Sequence, residues 1–175
     1  FILYVGRRDS TKNVPFLIEC FAQYKRDWKN NLKLVSIGSG GVPVPDEIKN
    51  DVYDLGYVPE EDKLNAYGAA ELLCQPSQME SFSIVIMESW LAGRPVLVHA
   101  DCPVTLEHVR ASRGGFSFRT YPEFVESVNR ILQQPAEANW LAQNGKQYVL
   151  ENYTWDRVTD RFIQFTDSLV RMMER

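Results

Sequence analysis

The stretch ELLCQPSQMESFSIVIMESWLAGRPVLVHA, residues 71–100, decides the fold. It opens on a short apolar run, ELLCQPS (71–77), and closes on another, PVLVHA (95–100). Between them, Ile84–Met87 and Trp90–Ala92 predict a helix over 83–92, stopped by Gly93 and Pro95. Two runs of strand length joined through a helix read as a parallel strand–helix–strand unit. Neither run alternates apolar with polar residues. Such strands are buried on both faces, in a sheet covered by helices on both sides.

The pattern extends outward in both directions. FILYVG (1–6), LKLVSIG (32–38), VYDLGYV (52–58) and GGFSFR (114–119) supply four further strands. A helix is expected over 14–28, where Phe16, Leu17, Cys20, Phe21 and Tyr24 keep i, i+3, i+4 spacing, with Asn13 as N-cap and Pro15 in the first turn. Further helices are expected over 60–70, 105–112, 121–134, 137–151 and 155–173. The result is one α/β domain over 1–175: a doubly wound, Rossmann-like parallel sheet of about six strands with a helical C-terminal segment. Trp140 and Trp155 are expected as core anchors, and Phe162, Phe165 and Leu169 as helix packing.

With 175 residues, 45% hydrophobic and 12% aromatic, the chain has ample material for one core. A net charge of -4 argues against a phosphate-backbone binder, which carries a basic excess. Cys20, Cys74 and Cys102 are odd in number and form no CxxC, so neither a disulfide framework nor a zinc site is expected. Reduced, buried thiols fit a cytoplasmic protein. No apolar run reaches the ~18 residues of a membrane span, and no signal peptide is expected. The chain enters its first strand at residue 1 without a methionine, so a piece of a longer protein is expected.

Ligands of doubly wound sheets bind outside the carboxyl ends of the strands. Arg7, Gly38, Val58 and Glu80 follow the first four strands. In GRRDSTKN (6–13), Gly6 ends a strand, and Arg7 and Lys12 stand beside the next helix's N-terminus, an anion site suited to phosphate. The alternative is a solvated charged loop; GxxxxGK[ST] is absent. Gly38 in SIGSGG permits close approach of a ligand, or simply makes a turn. Glu80 falls in the loop before a helix whose entrance is Ser81–Ser83, with serine as N-cap and free amides for an anion. Glu88 shares an apolar helix face with Ile84 and Leu91. A buried carboxylate costs several kcal/mol unless it is paired. Two ligand hydroxyls, as on a ribose, would meet that need. The alternatives are a loop glutamate serving the helix dipole at Glu80 and a snorkelling edge residue at Glu88. His99 and His108 read as structural, and no metal-ligand set accompanies them.

These residues together resemble a known family. GR-x4-K after the first strand, G-x-G after the second, LGYV after the third, PSxxES-F-S-IVIME with its E-x7-E spacing, AGRPV, and ENYTWDRV before the last helix are similar to the C-terminal half of GT-B glycosyltransferases of family GT4. The resemblance implies one half of a GT-B fold: the donor-binding domain of a retaining glycosyltransferase that uses a nucleotide-diphosphate sugar. It implies that Arg7 and Lys12 hold the diphosphate and that Glu88 binds the ribose. Glu80 would approach the donor sugar, with backbone at Gly6, Ser81, Phe82, Ser83 and Ile84 against sugar and phosphates. Val58 and Lys63 would lie near the base. It further implies no metal cofactor (no DxD motif is present) and a sugar or lipid-linked acceptor bound by an N-terminal domain outside this chain. The expected setting is bacterial cell-surface polysaccharide or glycolipid synthesis, in the cytoplasm or peripheral to the inner membrane. The fragment alone is expected to be inactive. Family members often carry glycines where this chain has Ser81 and Ser83. Two rival readings are a sugar-nucleotide epimerase or hydrolase half and a non-catalytic nucleotide- or protein-binding module.

Overall fold

The computed structural model describes residues 1–173. Its centre is a six-stranded sheet of β1 (Ile2–Val5), β2 (Leu34–Ile37), β3 (Val52–Asp54), β4 (Leu72–Gln75), β5 (Val96–His99) and β6 (Gly115–Phe118). The strand order is β3-β2-β1-β4-β5-β6, and every neighbouring pair is parallel. The order reverses between β1 and β4. Loops leaving those two strands diverge to opposite sides of the sheet and leave a crevice between them. The expected doubly wound, Rossmann-like α/β fold is therefore what the chain adopts.

The helices are α1 (Val14–Asp27), α2 (Glu60–Ala69), α3 (Ile84–Leu91), α4 (Pro103–Ser112), α5 (Tyr121–Gln133), α6 (Pro135–Asn152) and α7 (Trp155–Met173). They divide the core into two layers. On one face Tyr4, Leu17, Phe21, Leu34, Phe118 and Phe124 pack together; on the other Leu3, Leu73, Ile86, Trp90, Val96 and Val98 do. β1 and β4 are buried at every position, which is why their sequences run apolar without alternation. Trp90 is fully buried, and its indole N–H donates to the Gly114 carbonyl at 2.8 Å. All three cysteines are free and buried.

Three expectations are corrected. Asn13 precedes α1 but lies in the left-handed region (φ 56°), and its side chain makes no cap bond. It donates instead to the Pro76 carbonyl at 3.0 Å, tying the β1 loop to the β4 loop. The third strand is three residues long, because the chain turns away at Asp54 and leaves Leu55 to Val58 as a loop. Finally, Trp155 is 86% exposed and Phe162 65%, and Trp140, Phe165 and Leu169 are also exposed. These side chains do not anchor the core. α7 buries none of its residues; its main packing contact is with α6, where Arg161 bonds the carbonyl and side chain of Asn152.

Candidate functional site

An open cleft of about 280 Å³ lies at the β1/β4 crevice. From the β1 side come Tyr4, Gly6 and Lys12; from the β4 side come Gln75 and the run Glu80–Val85. It shares Lys12, Glu80 and Ser81 with a second cleft of about 480 Å³ that reaches Gln78, Met79 and Pro103.

Lys12 closes a short 3-10 turn, Ser10–Lys12, capped by Asp9. Asp9 Oδ1 accepts from the Lys12 amide at 3.0 Å and from the Thr11 hydroxyl at 2.5 Å. These bonds, the Thr11 hydroxyl first, hold the Asp9 carboxyl below its ordinary range. The turn aims Lys12 at the cleft, where its ammonium meets Glu80 Oε1 at 2.8 Å. Arg7 stays outside the lining. Its guanidinium is exposed, 3.7 Å from Asp9 and bonded to Thr11 at 3.4 Å, while the Arg7 carbonyl accepts the Tyr4 hydroxyl at 2.5 Å. The next residue, Arg8, went unremarked in the sequence. It is buried, bonds the Gly40 carbonyl at 2.6 Å and pairs with Asp54, so it ties the loops after β1 and β2 to the end of β3.

Gly38 and Gly40 serve the same locking. The amides of Gly6 and Arg8 donate to Ile37 and Ser39 at 2.9 and 2.8 Å, extending the β1–β2 pairing beyond the strands. The Gly38 amide in turn donates to the Gly56 carbonyl of the LGYV segment at 2.8 Å. Val58 is half-buried against the core layer that holds Ile86 and Trp90.

Glu80 sits in the loop as expected. Ser83 occupies the N-cap place of α3 but does not cap it. A capping side chain reaches the second or third amide from an extended backbone; Ser83 is left-handed (φ 67°, ψ 67°) and makes no such bond. Its Oγ is buried with no hydrogen-bond partner among the described residues. The first amides of α3 thus keep their free positive ends, and Ser83, Ile84 and Val85 line the cleft. Phe82 turns its ring inward, edge-on to His108 and Tyr153, each at 5.1 Å between centroids. His108 bonds Tyr148, which bonds Tyr153, at 3.0 Å each. Tyr153 belongs to the ENYTW segment, so that segment fixes the helix entrance from behind. Ile84 is exposed at the cleft.

Glu88 finds its partners within the chain. Lys63 Nζ reaches Oε1 at 3.0 Å, and the Tyr67 hydroxyl donates to Oε2 at 2.7 Å. Lys63 also pairs with Glu60 at 3.0 Å. Burial by itself would lower the Lys63 pKa; bonds and charge from Glu60 and Glu88 outweigh it and raise it. Burial, then the bond to Glu88, pushes the Tyr67 hydroxyl far above its usual range. The sequence reading left the Glu88 partner to a ligand and missed Tyr67. The signal was the i, i+4 spacing of Lys63 and Tyr67, which puts both on the face of α2 that meets α3. A carboxylate has about four acceptor positions, so two hydroxyl donors can still join.

The fold and this placement define a doubly wound α/β domain with a cleft at the switch point, where Lys12 faces Glu80 beside the entrance of α3. The sequence profile of "Glycosyl transferases group 1" matches residues 1–148, and the chain belongs to that family. An uncharacterized glycosyltransferase of Methanocaldococcus jannaschii is 28% identical over 99% of this chain and 46% of its own length. The lipopolysaccharide 1,2-N-acetylglucosaminetransferase of Salmonella typhimurium is 27% identical over 92% of this chain and 46% of its own length. The chain thus spans about half the length of these relatives. Among solved structures, the sucrose-phosphate synthase of Thermosynechococcus elongatus superposes with a TM-score of 0.77 at 23% identity, over 98% of this chain and 45% of that one. HepE of Anabaena, solved with UDP-glucose, gives 0.78 at 20% identity, over 96% and 49%. These likenesses concern the fold. No described helix is long and apolar enough to cross a membrane.

Proposed function

We propose that residues 1–175 form the donor-binding domain of a retaining glycosyltransferase, which moves a sugar from a nucleotide-diphosphate sugar to an acceptor. The observation that carries this reading is the pairing of Lys12 with Glu80 beside the entrance of α3 (Ser83–Val85) in one cleft at the switch point, with Glu88 outside the lining, one turn further along the same helix. In this reading the ribose hydroxyls donate to Glu88, and the base lies by Val58, Lys63 and the Gly38 loop. The diphosphate lies on Gly6, Lys12 and the amides of Ser83 and Ile84, and Arg7 swings in from solvent. Glu80 receives the sugar hydroxyls, with Ser81 and Phe82 shaping the entrance. When the anomeric C–O bond breaks, its electron pair leaves on the diphosphate, and cations and oriented amides stabilise that charge. The acceptor oxygen then bonds on the face the diphosphate left, and its proton passes to the departing phosphate oxygen. No metal is assigned a part.

The acceptor, sugar or lipid-linked, belongs in this reading to a second domain outside the chain, so the domain alone binds donor without turnover. Sugar transfer in cell-surface polysaccharide or glycolipid synthesis, at the cytoplasmic side, is the setting we infer. The name of the Salmonella relative, which acts on lipopolysaccharide, supports it.

Calorimetric titration with UDP, GDP and ADP, each beside its monophosphate, tests the site. One diphosphate should bind in preference to its monophosphate. Glu88→Gln should weaken that ribonucleotide by about tenfold, the worth of a charge-assisted bond, and its 2′-deoxy form by much less. Equal losses for both sugars would remove Glu88 from the ribose.

A further inference from the structure

The Lys12–Glu80 ion pair joins residues 68 positions apart, across the middle of the cleft. The Glu80 side chain is only 9% exposed, and the Lys12 ammonium is its hydrogen-bond partner. The loops that carry the pair are fastened to each other by Asn13 on Pro76, so neither residue is free to drift into solvent. A carboxylate this far from water depends on its counter-charge.

We propose that Glu80 is a latch on Lys12 that yields to a sugar-bearing diphosphate and competes against a bare one. The inference rests on the donor-site reading above. A diphosphate that takes the Lys12 ammonium removes the partner of Glu80 and sets a second anion beside it. The hydroxyls of an attached sugar are donors and restore to the carboxylate the hydrogen bonds it lost. A bare nucleoside diphosphate brings no such donor. Glu80 then competes with the diphosphate for Lys12, and the diphosphate is held less tightly. Discrimination between donor and spent product is thereby built into one carboxylate. It follows from the pairing in the free chain, beyond any contact Glu80 makes with the sugar.

The test is a set of calorimetric titrations on the wild-type chain, E80Q, K12M and the double variant. The probes are UDP, GDP and ADP, and UDP-glucose, GDP-mannose and ADP-glucose. Glu80→Gln should bind the bare diphosphate about threefold to tenfold more tightly, the worth of a close charge pair at a partly wetted site. It should bind the sugar nucleotide no more tightly, so that the preference for donor over product shrinks. In the Lys12→Met background the same change should give no gain, because no ammonium remains to be released. E80A, which removes the carboxylate by another route, should shift the bare diphosphate in the same direction. An unchanged or weakened bare-diphosphate affinity in both Glu80 variants would overturn the latch while leaving the site in place. A gain that survives in K12M would replace it with general repulsion. Failure of the wild-type chain to bind any of the six probes would overturn the donor site and the latch together.

Discussion

Gly38 lies against Gly6 so closely that a Cβ on Gly38 would stand 2.1 Å from the Gly6 carbonyl oxygen. The obstacle is backbone held in the β1–β2 pairing, and Gly38 itself adopts φ +133°. Gly38→Ala should therefore destabilise the chain by about 2–4 kcal/mol, from backbone strain and a collision that cannot relax. Urea denaturation followed by circular dichroism reads this directly. A loss below about 0.5 kcal/mol, the range of ordinary surface changes, would show that the two loops separate easily.

Ser83 should behave in the opposite way. A serine in the left-handed region carries backbone strain that glycine does not, and its buried hydroxyl lacks a partner. Glycine's larger entropy in the unfolded chain offsets part of the gain. We expect Ser83→Gly to raise stability by about 1 kcal/mol, seen as a melting temperature higher by about 2–4 °C. An unchanged or lower melting temperature would mean that the hydroxyl already has a stabilising contact.

Acid should weaken the fold in two stages. Burial lowers the pKa of both His99 and His108 from 6.5, so each stays neutral when folded and protonates more readily when unfolded. The unfolded chain then holds more protons below about pH 6.5, and stability falls with pH through that window. The groups facing His99 are Asp101 and Glu123, which oppose the shift, and Arg119, which adds to it; Glu107 opposes it at His108. The carboxyls of Asp9, Asp51, Asp101 and Glu123, held low by their bonds, give way only below about pH 4. Urea midpoints at pH 7.5, 6.5 and 5.5 should decline. His108→Gln should start lower and decline less. A flat wild-type profile over that range would contradict the buried neutral imidazoles.

Much of this was legible in the chain itself. Apolar runs without alternation, separated by helical spacing, point to a parallel sheet covered on both faces, because its helices bury both sides of each strand. The same order places Lys12 and Glu80 after β1 and β4, and Glu88 four residues along a helix from Ile84. The tertiary structure decided what faces what. Tyr67 and Lys63 reach Glu88 only because α2 and α3 touch, and Lys12 finds Glu80 only because β1 and β4 are neighbours across the switch point. Residue type predicts cap bonds at Asn13 and at the Ser81–Ser83 entrance; the structure has left-handed backbone at Asn13 and Ser83 instead, and at Asn13 the bond between two loops outweighs a local preference worth about 1 kcal/mol. The apolar residues of α7 show the same limit from the other side. Helical spacing establishes that a helix carries an apolar face. What that face meets depends on elements far away in sequence, and in residues 1–173 it meets solvent.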